Sequence, residues 1–262
     1  MTQHQPGAHR ALPYGKLANG KLQRLLDALP PDLRLEMEGM WEYRTLSAGA
    51  VVIEDGQEAE RIGYVLDGVL VMVKELSDGR RHIIGLLTPY DMFGRAFNGA
   101  SGYRIEALTD TQVLTCNRVQ FEHLIARSIE AEQLFLRNLL DELDAAREWV
   151  IALGGAKVVQ RLASLLLILS RHKFNGACGK PTFAAGQPLN LHIQLKRQDI
   201  AHYLGTSPES LSRSFHQLEG DKIIRINTPY DIDVLDLAKL TAVAGNSLLL
   251  ERLCPASRRC QR

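Results

Sequence analysis

The segment Arg197-Gln-Asp-Ile-Ala-His-Tyr-Leu-Gly-Thr-Ser-Pro-Glu-Ser-Leu-Ser-Arg213 constrains the fold of this chain more than any other stretch. It reads as two short helices joined by a tight glycine turn, a helix-turn-helix. Ile200, Ala201 and Leu204 give the first helix an inward face, and Ala201 is small enough for close helix contact. Gly205 supplies the backbone freedom the turn needs. Ser207 is placed to cap the second helix and Pro208 to occupy its first position. The second helix then carries Glu209, Ser212 and Arg213 at i, i+3 and i+4, on one face near its N-terminal end. A groove-reading helix presents its base-contacting side chains there. Arginine donates two hydrogen bonds to guanine O6 and N7, glutamate accepts from cytosine N4, and serine bonds to either kind of edge. Arg197, Ser207 and Ser210 complete the residues expected to contact DNA. An ordinary helical hairpin with a charged outer face would share this local pattern, and the flanking sequence argues against it.

The charge distribution agrees. Net charge is only +1, yet residues 155–262 hold 15 Lys and Arg against 8 Asp and Glu, while residues 1–154 hold 16 against 22. The basic half is the half with the helix-turn-helix, as phosphate neutralisation requires. With 262 residues and 45% hydrophobic composition, two modest domains with real cores are expected. No apolar run is long enough to cross a bilayer, and the polar N-terminus has no hydrophobic signal core, so the expectation is a cytoplasmic protein. In that compartment Cys116, Cys178, Cys254 and Cys260 serve as thiols, metal ligands or redox switches rather than structural disulfides.

Along the chain, residues 1–20 read as a loose arm, followed by an amphipathic helix around Leu22–Met40. From Trp41 the pattern changes to short apolar runs. Val51–Ile53, Ile62–Leu66, Val69–Val73, Ile83–Leu87, Ile105–Leu108 and Val113–Thr115 are expected strands, with Asp67-Gly68 and Asp78-Gly79 as hairpin turns. Many short strands with glycine turns indicate an antiparallel roll or sandwich. After Arg118, Ile129, Glu132, Leu136, Leu139, Leu143, Ala146, Val150 and Leu153 recur at alternating spacings of three and four, a heptad seam suited to pairing two subunits. A helix packed on its own roll would show similar spacing. Gly154-Gly155 ends the seam and is the expected hinge. Ala156–Arg171 reads as a further helix, Phe174–Leu189 as a loop, and Ile223–Ile226 with Ile232–Val234 as a two-stranded wing. The expected fold is α+β: an arm and β-roll over 1–125, a dimerisation helix over 126–154, a winged helix-turn-helix over 155–245, and a cysteine-containing tail over 246–262.

This order resembles the CRP/FNR family of bacterial transcription regulators from about Leu46 to Gly245. The resemblance is carried by Tyr64-Val-Leu-Asp-Gly-Val69 with Asp78-Gly-Arg-Arg-His-Ile-Ile-Gly85, by Gln160-Arg-Leu-Ala163, by Arg197–Arg213, and by Ile232-Asp-Val-Leu-Asp-Leu-Ala-Lys-Leu240. Glu209, Ser212 and Arg213 match the recognition helix of the FNR and FixK branch, which implies a homodimer on a palindrome of TTGAT-like half-sites in oxygen, redox or nitrogen-oxide control. The resemblance also implies contact with RNA polymerase through the hairpin Lys74–Arg81, with Lys74, Asp78 and Arg80 as candidates.

The signal is less determined by the sequence. Cyclic-nucleotide binders of the family hold the ribose and phosphate with a Gly-Glu and an Arg-Ser/Thr pair. Here Arg95 stands at the glutamate position, and Arg104 is followed by Ile105, so cyclic AMP is not expected. Oxygen-sensing members hold an iron–sulfur cluster through three N-terminal cysteines and one in the roll; Cys116 resembles the roll ligand, but no cysteine precedes it. Cys254 and Cys260, flanked by arginines that favour thiolates, offer a metal or redox pair instead, with Cys116 or Cys178 as further ligands. Haem through His82 or His123, and a FixK-like regulator that needs no ligand, are the other readings. Enzyme motifs such as His-Glu-x-x-His, a Walker loop or Gly-x-Ser-x-Gly are not present, so no enzymatic activity is expected. A β-roll that binds a ligand and regulates a protein partner is the alternative from another class.

Overall fold

The computed structural model describes residues 21–77, 81–97, 99–153, 157–175 and 188–245. Helix α1 (Lys21–Asp27) buries Leu22, Leu25 and Leu26, and α2 (Pro31–Met40) buries Leu33 and Met37. The sequence suggests a single helix here; Pro30 and Pro31 cannot donate the amide hydrogen bonds that would continue it, so the second helix starts afresh with proline in its first turn.

Eight strands follow: β1 (Glu42–Leu46), β2 (Val51–Ile53), β3 (Arg61–Asp67), β4 (Leu70–Glu75), β5 (Arg81–Leu87), β6 (Met92–Phe93), β7 (Arg104–Ala107) and β8 (Thr111–Asn117). They form two antiparallel four-stranded sheets, ordered β1-β8-β3-β6 and β2-β7-β4-β5. Side chains alternate across each strand, so β3 can be buried on both faces. Val65 joins Ile53, Leu70, Phe93, Ile105 and Val113 between the sheets, while Ile62, Tyr64 and Leu66 face the helices.

The Asp67-Gly68 turn is not the expected hairpin, because β3 pairs with β6 and β8 while β4 pairs with β5 and β7. The chain passes there from one sheet to the other. Gly68 has φ +84°, and a Cβ on it would meet the Asp110 carbonyl oxygen at 2.5 Å, so the corner requires glycine twice over. The Asp78-Gly79 turn lies outside the described residues, although β4 and β5 pair antiparallel up to Glu75 opposite Arg81.

Asn117 caps α3 (Arg118–Ile125) by accepting the Gln120 amide, and α4 (Ile129–Leu153) follows. Phe121 and Leu124 of α3, with Ala131 and Phe135 of α4, close the core over β3 and β8. Trp41, Tyr64, Phe121, Phe135 and Phe97 make edge-to-face contacts with ring centroids 5.5–6.1 Å apart. The proposed hinge Gly154-Gly155 and residues 1–20 are outside the described residues.

The C-terminal part comprises α5 (Val158–Asn175), β9 (Leu189–His192), α6 (Arg197–Tyr203), α7 (Pro208–Gly220), β10 (Ile224–Ile226), β11 (Asp231–Val234) and α8 (Leu237–Ala244). The wing has three strands in the order β10-β11-β9 rather than two. The third was hidden in the sequence because β9 starts at Leu189, the end of a stretch whose glycine and proline content signals a loop. Leu162, Leu166, Leu191, Ile200, Leu211, Phe215 and Leu240 form one core, which Val69 of the roll also joins and against which Ile83 and Leu86 pack.

Candidate nucleic-acid interface

α6 buries Ile200, Ala201 and Tyr203, and α7 buries Leu211, Ser214, Phe215 and Leu218, so their polar faces are left outward. Gly205, with φ +60°, makes the turn between them. The Ser207 side chain accepts the Ser210 amide at 3.2 Å and Pro208 fills the first turn, so α7 begins where the sequence indicates. Glu209, Ser212 and Arg213 are all exposed on the outer face. The Glu209 carboxyl is held below its usual range by the Ser207 hydroxyl, then by its own backbone amide and by Arg213. An acceptor and a guanidinium four residues apart on one exposed face can meet a cytosine N4 and a guanine edge.

Arg197 sits differently from the rest of that set. Its guanidinium carbon lies 3.4 Å above the centroid of the Phe215 ring, and Nη1 is buried without a hydrogen-bond partner. Burial pulls its pKa down to about 10. Arg197 therefore packs α6 onto α7 by a cation–π contact rather than standing with the exposed face of α7. Sequence spacing does not reveal this pairing, since the partner is 18 residues away on the next helix.

The wing is braced by side chains directly opposite in the ladder. His192 Nδ1 is 2.7 Å from Asp231 Oδ1, and the Asn190 amide donates to Asp233 at 3.0 Å. Hydrogen bonds from Asn227 and Asn190 hold the Asp233 carboxyl below its usual range.

α4 has two faces. Ala131, Phe135 and Asn138 are buried against the roll, whereas Ile129, Leu136, Leu140, Leu143 and Val150 are 46–72% exposed. Glu132 and Ala146 share the exposed side, and the Leu153 side chain lies outside what is described. Leu139, expected in the seam, packs against the roll core, and Leu140 takes its place outward. The heptad pattern does not separate these two adjacent leucines; only the position of the roll does. An apolar stripe this long on a helix ordinarily requires a partner.

Within the roll, the residues near the expected nucleotide site are engaged with one another. The cavity lined by Ile53, Arg95, Ser101, Tyr103 and Ile105 has a volume of about 20 Å³, room for water and little more. Arg104, near the phosphate-binding arginine's place, is paired with Glu54 at 2.9 Å, and Arg81 is paired with Glu106. Lys74 of the β4–β5 hairpin is likewise engaged, by Asp55 and the Gly102 carbonyl, both at 2.7 Å. Asp78 and Arg80 are outside the described residues.

Cys116 is fully buried among Ile62, Tyr64, Leu114 and Phe121, and burial pushes its thiol up to about 12. Burial disfavours the thiolate that a cluster ligand must supply. Among the described residues no three His, Cys, Asp or Glu side chains come together as a metal site. His82 and His123 are exposed on β5 and α3, without the enclosure a haem needs. Cys178, Cys254 and Cys260 lie outside the described residues.

A β-roll joined through a long helix to a winged helix-turn-helix with an exposed, capped recognition helix defines a DNA-binding transcription regulator. Residues 160–243 match the model of the Crp-like helix-turn-helix domain, and residues 43–128 that of the cyclic nucleotide-binding domain. Over 210 residues the chain is 33% identical to the transcriptional activator protein FnrL of Cereibacter sphaeroides, covering 80% of this chain and 83% of that protein. The nitrogen fixation regulation protein FixK of Bradyrhizobium diazoefficiens is 29% identical over 214 residues, 80% of this chain and 85% of that one. The solved structure of FixK2 from Bradyrhizobium japonicum shares the fold, with a TM-score of 0.67 at 24% identity over 78% of this chain and 96% of that one. The chain belongs to the CRP/FNR family, in its FNR/FixK-like branch.

Proposed function

We propose that the protein is a cytoplasmic homodimer that reads a palindrome of TTGAT-like half-sites and activates transcription in oxygen, redox or nitrogen-oxide-linked control. The observation that carries this reading is the α7 face, where a capped helix turns Glu209, Ser212 and Arg213 outward together. The exposed stripe Ile129, Leu136, Leu140, Leu143 and Val150 supports the dimer, since a two-fold pair presents one recognition helix to each half-site. The names of FnrL and FixK support the link to activation and to nitrogen fixation control. Activation would use the β4–β5 hairpin, including Lys74, Asp78 and Arg80, to touch RNA polymerase. The small cavity beside Arg95 and the pairing of Arg104 with Glu54 support a regulator whose activity is not gated by a cyclic nucleotide. No helix among the described residues is long and apolar enough to cross a membrane, in keeping with a protein that works at DNA.

The test is fluorescence anisotropy with a labelled TTGAT palindrome and a scrambled duplex at two salt concentrations. The reading expects tight binding to the palindrome alone and a steep salt dependence from phosphate contacts. Equal affinity for both duplexes would reject sequence-specific regulation and favour a roll that acts on a protein partner.

A further inference from the structure

Arg213 is exposed at the surface of α7, and an exposed arginine side chain samples many rotamers. Bidentate reading of a guanine needs its planar fork held in one plane and one place. In this chain a ladder of hydroxyls does the holding. Ser207, Ser210 and Arg213 follow one another at intervals of three, so all stand on one side of the helix. Ser207 Oγ accepts the Ser210 amide and lies 3.3 Å from Ser210 Oγ, and Arg213 Nη2 donates to Ser210 Oγ at 3.1 Å. The Ser210 carbonyl in turn accepts the Ser214 hydroxyl at 2.9 Å. Ser210 is thus held at its amide and its carbonyl, and its hydroxyl lies between Ser207 Oγ and Arg213 Nη2.

We propose that Ser210 is a positioning residue for base reading: its hydroxyl holds the Arg213 guanidinium in the orientation that engages guanine O6 and N7. The assignment rests on the reading of α7 as the base-reading helix. A guanidinium has five N–H donors, so one bond to Ser210 leaves enough for both guanine acceptors. Ser210 then contributes to sequence preference without touching a base. Binding loses less side-chain freedom because the arginine is already ordered in the free protein.

The experiment compares three duplexes: a TTGAT palindrome, the same palindrome with 7-deazaguanine in place of the guanine, and a scrambled sequence. Full-length wild type, Ser210→Ala, Ser210→Thr, Arg213→Ala and the Ser210→Ala/Arg213→Ala double variant are titrated on each. Ser210→Ala is expected to weaken binding to the guanine palindrome about three- to ten-fold, the effect of one mobilised side chain. Affinity for the other two duplexes and the thermal midpoint should not change, Ser210→Thr should restore affinity, and the substitution should have no effect beside Arg213→Ala. Equal loss on all three duplexes would make Ser210 a direct backbone contact and overturn the proposal, as would no loss at all. Wild type that fails to distinguish guanine from 7-deazaguanine would overturn the base-reading assignment of Arg213 itself, and this inference with it.

Discussion

Lys21 Nζ lies 2.7 Å from Glu142 Oε1, a bond that ties the first described helix to the middle of α4, one residue before Leu143 of the exposed stripe. Burial raises the Glu142 carboxyl above its ordinary value, and Lys21 only partly offsets this. A carboxyl whose folded pKa exceeds its unfolded one retains its proton better when folded, so it costs stability once the pH rises above about 4.5. Removing Lys21 raises that folded pKa further. Lys21→Ala is therefore expected to destabilise the protein by about 1–3 kcal/mol at pH 8, between the values for exposed and buried pairs. The loss should shrink towards pH 4. Urea unfolding at both pH values checks this, and an equal loss at each would mean that Lys21 acts by packing alone.

Leu140 and Leu143 are 53% and 46% exposed on the outer face of α4, while Leu139 beside them packs inward. Leu143→Glu and Leu140→Glu would each bring a charge into the proposed dimer seam from both subunits. Either is expected to weaken the dimer roughly a hundred-fold or more, about 3 kcal/mol, with little change in roll stability. Leu139→Ala should do the reverse, lowering the melting temperature by loss of core contacts while leaving the dimer largely intact. Sedimentation equilibrium and thermal melts separate the two effects.

The parts of the fold that local chemistry determines were legible in the sequence. Ser207 and Pro208 mark the start of α7, Gly205 marks the turn, and the apolar run Ile62–Leu66 marks β3. What stayed hidden depended on partners distant in sequence. β1 has an exposed, polar-rich sequence, Glu42 to Leu46, that becomes a strand by pairing with β8. β6 has only two residues, Met92 and Phe93, too few for any periodicity. Arg197 reads as one more basic residue at a DNA-binding helix until Phe215 is seen beneath it. The same holds for Leu139 and Leu140, whose roles are divided by where the roll lies.

Cys116 gives a pH signature. Its thiol is pushed up to about 12 when folded, against an ordinary value of 9.0. Above pH 9 the unfolded chain releases this proton and the folded protein retains it, so stability falls as the pH rises towards 12. Tyr64, also raised by burial, adds a loss of the same sign above its ordinary value of 10.0. Between pH 9 and 10, where Cys116 dominates that pair, Cys116→Ala should flatten the decline by up to about 1.4 kcal/mol per pH unit. The cavity left by the substitution lowers stability at every pH, so the slope is the diagnostic quantity. The native thiol should also resist alkylation at pH 8; rapid labelling would place it at an accessible site and reopen its candidacy as a ligand.

Arg213 and Glu209 carry the most direct test of function. Both are exposed and neither supports the core, so their removal should leave the melting temperature within a degree or two, as for surface substitutions worth less than about 0.5 kcal/mol. Arg213→Ala is expected to cost about 1–3 kcal/mol on the palindrome and to flatten preference at one base position in each half-site. Glu209→Ala removes an acceptor, so it should relax selection at a different base while relieving repulsion from the phosphates. Its affinity for unrelated DNA should therefore rise slightly as its specificity falls. A randomised-site selection with each variant reads both effects at once. If Arg213→Ala lost affinity equally on every sequence and reduced the salt slope by about one, the side chain would be a phosphate contact, and the specificity assigned to α7 would have to come from Glu209 and Ser212.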